Sequence, residues 1–214
     1  MSATYMPISI SLKNRHCLVV GGGKVALRKI ENLLDYESEI TVIAPEVHDK
    51  IEYFAGKGRL KIVHRVYQSP EAENYGLVIS ACDDDAVNRQ VYEDCRAKGI
   101  PVNVVDNPPL CDFIFPAVVR RDALTISIST DGKAPFLSGH LRLILENMFQ
   151  EERWTKIIKL AASFRKKIQS RWPDDHEKRT TAISRFLAVD WQQILKEKKS
   201  TEELESYLEE LMEN

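Results

Sequence analysis

Cysteine is scarce in this chain. Cys17, Cys82, Cys95 and Cys111 are the whole set, and no two of them stand as CxxC. A disulfide framework, a thioredoxin-like redox pair and a cysteine-based zinc site therefore have no sequence support, and the residues read as reduced, structural thiols. The five histidines are scattered, with no HExxH, so no metal site is expected. Long apolar runs are also missing. Nothing approaches the roughly 18 apolar residues of a membrane helix, and the N-terminal stretch lacks the basic start and apolar middle of a signal peptide. A cytoplasmic protein with no membrane contact is the expectation. One-sided charge is lacking too: 30 basic against 32 acidic residues leave −2, which argues against a general nucleic-acid binder. Hydrophobic residues make up 43% and charged residues 29% of the 214 positions, so the chain can build its own core without staples.

What is present is an alternation. His16–Val20 is a short apolar run, Lys24–Leu34 carries apolar residues at helical spacing, and Glu39–Ala44 is β-branched and ends at Pro45. Val47–Lys57 reads as helix, Leu60–Val66 and Leu77–Cys82 as strands, Ala86–Ala97 as helix and Pro101–Val105 as strand. Strands alternating with helices predict βαβ units and a parallel sheet covered on both faces, an α/β Rossmann-like fold. After Asn107-Pro108-Pro109 the pattern changes. Phe113–Val119 and Leu124–Ser129 predict a hairpin joined across Arg120-Arg121-Asp122-Ala123, followed by an amphipathic helix over Pro135–Glu151. The remainder is charged and helical, interrupted at Pro173. The expected organisation is a nucleotide-binding domain over 1–112, a strand-rich connector over 113–145 and a helical domain over 146–214.

The segment Val20-Gly21-Gly22-Gly23-Lys24-Val25-Ala26 follows a strand and opens a helix. Gly21, Gly23 and Ala26 occupy the positions of G-x-G-x-x-A. Gly21 permits the tight turn, Gly23 lets the backbone approach a pyrophosphate, and Ala26 lets the helix pack closely on the strand. The helix start then offers free N–H groups and a partial positive charge to phosphate. A plain glycine turn without ligand is the bland alternative. The acid expected on the ribose some 20 residues on has one candidate, Glu46, because Ala44 ends the strand. Glu46 serves equally as a charge at a helix start, while the absence of a basic residue here favours NAD over NADP. Later strands also end in acids. Asp83 opens an acidic triplet of which one member should cap the next helix. Asp106 stands at the carboxyl end of PVNVV, where it can move a proton or make an Asx turn. His140 is a further acid–base candidate on the amphipathic helix.

VVGGGKVALRK, ITVIAPE, ACDDDAVN, VNVVD and DFIFPAVVRRDALTISISTDGKAPFLSGHLR, in this order and spacing, resemble the precorrin-2 dehydrogenase family of sirohaem and cobalamin synthesis. The likeness runs from about Ile8 to Glu146. It implies NAD-dependent oxidation of the tetrapyrrole precorrin-2 to sirohydrochlorin, with Asp106 as the aspartate important for turnover. It places cofactor contacts at Gly21, Gly22, Gly23, Lys24, Val25, Pro45 and Glu46, while Asp83, by its place past a strand end, is a candidate to line the same cleft. Some members also insert iron, with Fe²⁺ as a substrate, so ferrochelatase activity stays open. The substrate's carboxylates call for cationic or N–H partners, and Arg120, Arg121, Lys133, His140 and Arg142 are the candidates, with a solvated hairpin turn as the other role of Arg120 and Arg121. The hairpin over Phe113–Ser129 would leave open edges alone, which predicts a homodimer through it. No methyltransferase activity is expected of this stretch. The alternative is a non-catalytic NAD-binding sensor module, which would need neither Asp106 nor a basic pocket. In the charged tail, Lys196-Glu197-Lys198-Lys199 and Glu202-Glu203-x-Glu205 read as a solvated helical face.

Overall fold

The computed structural model describes residues 5–149, 151–198 and 200–213. They group into two compact units, one of residues up to Phe115 with Asp131–Lys133, the other of Pro116–Thr130 with the chain from Ala134.

The first unit holds a five-stranded parallel sheet in the order β3-β2-β1-β4-β5. The strands are β1 (His16–Val20), β2 (Glu39–Ile43), β3 (Lys61–Val63), β4 (Leu77–Ser80) and β5 (Val102–Val104), with helices α1 (Lys24–Leu34), α2 (Asp49–Gly56) and α3 (Asp85–Lys98) between them. Burial on both faces explains why the strands read as continuous apolar runs. Alternate residues of β1 serve opposite faces. Cys17 and Val19 join Ala26, Leu27, Ile30 and Leu33 of α1 and Ile51 of α2. Leu18 and Val20 join Val78, Val102, Val104, and Val91 and Cys95 of α3. The helix α3 is bounded at both ends: Asp84 caps its start, accepting from the N–H groups of Ala86 (2.8 Å) and Val87 (3.3 Å), and Gly99 closes it in the left-handed region.

The second unit contains the antiparallel pair β6 (Ala117–Arg121) and β7 (Leu124–Ile128) and the helices α4 (Pro135–Met148), α5 (Glu151–Arg171), α6 (His176–Ala188), α7 (Trp191–Glu197) and α8 (Thr201–Glu213). Its core is apolar and aromatic. Leu160, Phe164 and Ile168, at four-residue spacing on α5, meet Ala182, Phe186, Trp191, Leu208 and Met212. Phe164 stacks on Phe186 and Phe186 meets Trp191 at a tilt, with centroids 5.1 and 4.4 Å apart, and the Trp191 indole N–H donates to the Phe186 carbonyl (3.0 Å).

Several local expectations need correction. The strand expected over Phe113–Val119 starts only at Ala117. Phe113 and Phe115 are packed against the first unit's core instead, and Pro116 has no N–H to donate to a ladder. Arg120 and Arg121 are not a connecting turn. They belong to β6, and the turn is only Asp122-Ala123, with Asp122 in the left-handed region (φ 52°), which aspartate tolerates. Arg121 donates to the carbonyls of Phe149 (2.7 Å) and Glu146 (3.2 Å), so it satisfies the end of α4 rather than facing solvent. The amphipathic helix stops at Met148, with Phe149 outside helical geometry, and does not run to Glu151. β3 is shorter than Leu60–Val66. α2 begins at Asp49 behind a His48 cap, so Glu46 lies before the helix. Nor is the acidic tail purely solvated: Glu205 pairs with Lys167 (3.2 Å) and accepts from Ser163 (3.0 Å) of α5. Lys199 lies outside the described residues. Among those residues no helix is long and apolar enough to cross a membrane.

Candidate dinucleotide site

The site is the carboxyl edge of the sheet. Register aligns Ile43, Val20, Ser80 and Val104 in one row across four strands. The loops that follow them therefore start level: Ala44–Glu46, Gly21–Gly23, Ala81–Asp84 and Val105–Asp106. From β1 the chain winds first toward β2 and β3, then toward β4 and β5. The crevice at this reversal, between β1 and β4, is where open parallel sheets bind ligands.

The three glycines have three different reasons. Gly21 has φ +114°, and a Cβ there would lie 2.3 Å from the Ala81 carbonyl oxygen, so the turn crosses the β4 loop at backbone contact. A Cβ on Gly22 would lie 2.1 Å from the Glu46 carbonyl oxygen, and the Gly22 carbonyl accepts from the His48 N–H (2.8 Å). Gly22 thus seats the β2–α2 loop, a task the sequence pattern does not show. A Cβ on Gly23 would meet nothing within 4 Å. That opening sits over the start of α1, which has no side-chain cap and no acid in its first turn. The first N–H groups of α1 have no acceptor within the helix. An open, uncapped helix start beside a backbone-tight turn fits a pyrophosphate. Ala26 is fully buried against the sheet, as close helix packing requires. Lys24 and Val25 are exposed at this helix start, and Pro45 and Glu46 are exposed on the neighbouring loop.

Asp83 is exposed past β4, next to the capping Asp84. Its loop is held from below by two buried polar groups. Ser80 donates to Asn88 (2.7 Å), and the Asn88 amide donates to the Cys82 carbonyl (3.0 Å). Asp106 is exposed in a left-handed turn (φ 59°) two residues past β5. At about 4.8 Å per strand, it begins roughly 10 Å across the sheet from the glycine turn. The chain beyond it folds back on β5. Asn103 and Cys111 form an antiparallel bridge, the Asn103 amide donates to the Phe113 carbonyl (2.8 Å), and the Cys111 thiol donates to the Val104 carbonyl (3.1 Å). These groups escaped the sequence reading. Their one signal was a buried polar residue inside an apolar strand, the Ser of LVIS and the Asn of VNVV. Burial pushes all four cysteine thiols up, Cys95 to about 12, so they stand as thiols and not as nucleophiles.

The cationic candidates do not fall in one body. Lys133 is exposed and belongs to the first unit; Arg120, His140 and Arg142 belong to the second. Arg120 is exposed on β6 and His140 on α4, while Arg142 is half-buried and pairs with Glu146 (2.6 Å). Among the described residues no group of three or more His, Cys, Asp or Glu could hold a metal ion.

Residues 8–117 match the family model described as "Putative NAD(P)-binding". The chain belongs to this NAD(P)-binding family. Its cofactor is a nicotinamide dinucleotide, in keeping with the cradle at Gly21–Val25. Over 175 residues the chain is 39% identical to a siroheme synthase of Methylococcus capsulatus, covering 82% of this chain and 37% of that one. Over 190 residues it is 36% identical to a siroheme synthase of Methylobacillus flagellatus, covering 89% and 40%. The chain therefore spans well under half the length of these curated relatives. Among solved structures, "SirC, precorrin-2 dehydrogenase" aligns with a TM-score of 0.75 and 24% identity over 98% of this chain and 100% of that one, which establishes a shared fold.

Proposed function

We propose that this chain oxidises precorrin-2 to sirohydrochlorin with NAD⁺. One observation carries the reading: the phosphate cradle and the Asp106 turn open on the same edge of one sheet, two strands apart. The siroheme synthase relatives and the shared fold with a precorrin-2 dehydrogenase support the substrate.

Bound NAD⁺ would supply the acceptor for the hydride lost from a carbon of the reduced macrocycle. The chain's own part is to hold and to move a proton. Gly21 and Gly22 give the turn its shape, Gly23 leaves room, and the N–H groups at Lys24 and Val25 would hold the phosphates. Pro45 and Glu46 border the adenosine end, with Glu46 serving the ribose. The lack of a cation from Ala44 to Val47 favours NAD over NADP, because a 2′-phosphate would find no partner there. Asp83 borders the crevice between the two ends. The Asp106 carboxylate takes the proton that leaves as the hydride does, so that one hydride and one proton depart together. Lys133, Arg120, His140 and Arg142 are the proposed partners of the substrate's carboxylates, Arg142 after exchange from Glu146.

Fe²⁺ enters this scheme only as a substrate. Anaerobic incubation with precorrin-2 and NAD⁺, followed by absorbance, tests the dehydrogenase. The same assay with sirohydrochlorin and Fe²⁺ decides chelation. NADH failing to form at any precorrin-2 concentration would falsify the reading and leave a cofactor-binding sensor.

We further infer a homodimer and a cytoplasmic location. The β6–β7 pair is only two strands wide, and α4 exposes Phe136 (80%), Leu143 (51%) and Met148 (59%) beside it. Open edges and an apolar helix face on one short segment suit a second copy. Light scattering at micromolar concentration checks this, and a monomer would count against it.

A further inference from the structure

One cation near the Asp106 turn has no task in the scheme above. Lys29 lies on α1 beside Ile30, whose side chain is fully buried, so the lysine stem is half-buried at the margin of the core-facing stripe. Its ammonium stands 4.0 Å from the centre of the Phe115 ring. That ring is braced edge-to-face by Phe113, with centroids 5.5 Å apart, and both aromatics pack against the core of the first unit. The Phe113 carbonyl is in turn held by Asn103. The aromatic floor under Lys29 and the turn that carries Asp106 therefore share one anchor.

No carboxylate of the described residues forms an ion pair or hydrogen bond with Lys29, although the chain carries 32 of them. Burial and the neighbouring Arg28 push its pKa below the ordinary lysine value. Asp106 and Cys111 act in the opposite direction, which puts all three within electrostatic reach. A partly dehydrated cation, held by an aromatic face and lacking an ionic partner, has its strongest unmet interaction with an incoming anion.

We propose that Lys29 docks a carboxylate of the tetrapyrrole substrate and so sets which edge of the macrocycle reaches Asp106. This rests on the precorrin-2 reading above. Packing alone is the competing role, since a lysine stem can simply cover Phe115.

Two substitutions separate the roles. Lys29→Met keeps a long apolar stem over Phe115 and removes the charge, whereas Lys29→Arg keeps both. The readouts are KM and kcat for precorrin-2 at saturating NAD⁺, the Kd of sirohydrochlorin by fluorescence quenching under anaerobic conditions, and the Kd of NAD⁺. For Lys29→Met, KM and the sirohydrochlorin Kd should rise about tenfold. The NAD⁺ Kd should stay within about twofold, and Lys29→Arg should recover most of the loss. An active wild-type protein whose Lys29→Met variant keeps its KM and sirohydrochlorin Kd overturns the proposal. A wild-type protein that neither oxidises precorrin-2 nor binds sirohydrochlorin overturns the substrate reading and this proposal with it.

Discussion

The two units bury different things. In the α/β unit Ser80 and Asn103 of the sheet and Asn88 and Asp94 of α3 are buried among apolar side chains. Three of these hold loops at the carboxyl edge. The fourth, Asp94, accepts from Tyr67 (2.5 Å), Ser69 (2.9 Å) and Gln90 (2.9 Å), and so ties the chain before β4 to α3. In the helical unit the core is an aromatic and aliphatic stack, and charge sits outside it, in pairs such as Lys167 with Glu205 and Arg171 with Glu213. A buried polar group is costly unless satisfied, and a satisfied one fixes geometry in a way apolar contact does not. Among the described residues the α/β unit, which carries the proposed site, holds most of the buried polar side chains, while the second unit buries Ser138 and the Trp191 N–H bond to Phe186.

That contrast can be broken from either side. The largest effect expected is on chemistry. Asp106→Asn should lower kcat by about 10²–10⁴-fold while NAD⁺ affinity and melting temperature stay near those of the wild type. Normal turnover by this variant would leave the turn structural only. In the helical unit, Phe164→Ala should cost about 3–5 kcal/mol of stability in urea unfolding, through loss of the stack with Phe186, without changing NAD⁺ affinity in the folded protein. Asn103→Ala falls between the two kinds. It strands the Phe113 carbonyl, so about 1–3 kcal/mol of stability should go, and turnover should drop as the Asp106 turn loosens. A stability loss with full turnover would separate the two effects.

The smallest effect is a pH dependence. Arg65 donates to Glu71 through both its terminal nitrogens, and this bonded guanidinium holds the Glu71 carboxyl below its ordinary value. Because the folded value is depressed, the contribution is present above the ordinary carboxylate pKa and lost as pH falls through the folded one. The urea midpoint of the wild type should therefore exceed that of Glu71→Gln at neutral pH. The gap should close as the solution is acidified below the carboxylate range.

Much of the first unit was legible because its signals are local. A glycine turn between a strand and a helix, Asp84 and Gly99 at the ends of α3, and acids just past strand ends each announce themselves within a few residues. The misreadings came where a distant contact decides. Phe113 and Phe115 look like strand residues, yet they serve as core packing. Arg120 and Arg121 look like a turn because charge suits turns, yet a two-residue turn suffices when Asp122 accepts the left-handed region. Gly22 has a second task that the glycine pattern does not show, since its nearest neighbour is the Glu46 backbone.

Periodicity, caps and glycine spacing follow from short-range sterics and hydrogen bonding, so the sequence alone determined the α/β alternation, the glycine turn between the first strand and helix, and the acid past the end of the fifth strand. Tertiary structure alone decided the contacts of the segments around that turn. Lys29, Asn103, Cys111 and Phe115 are separated by up to 86 positions and meet only because β1, β4 and β5 pair in one register and the chain then folds back on β5. Such meetings depend on packing between segments far apart in the chain, and no local pattern encodes them.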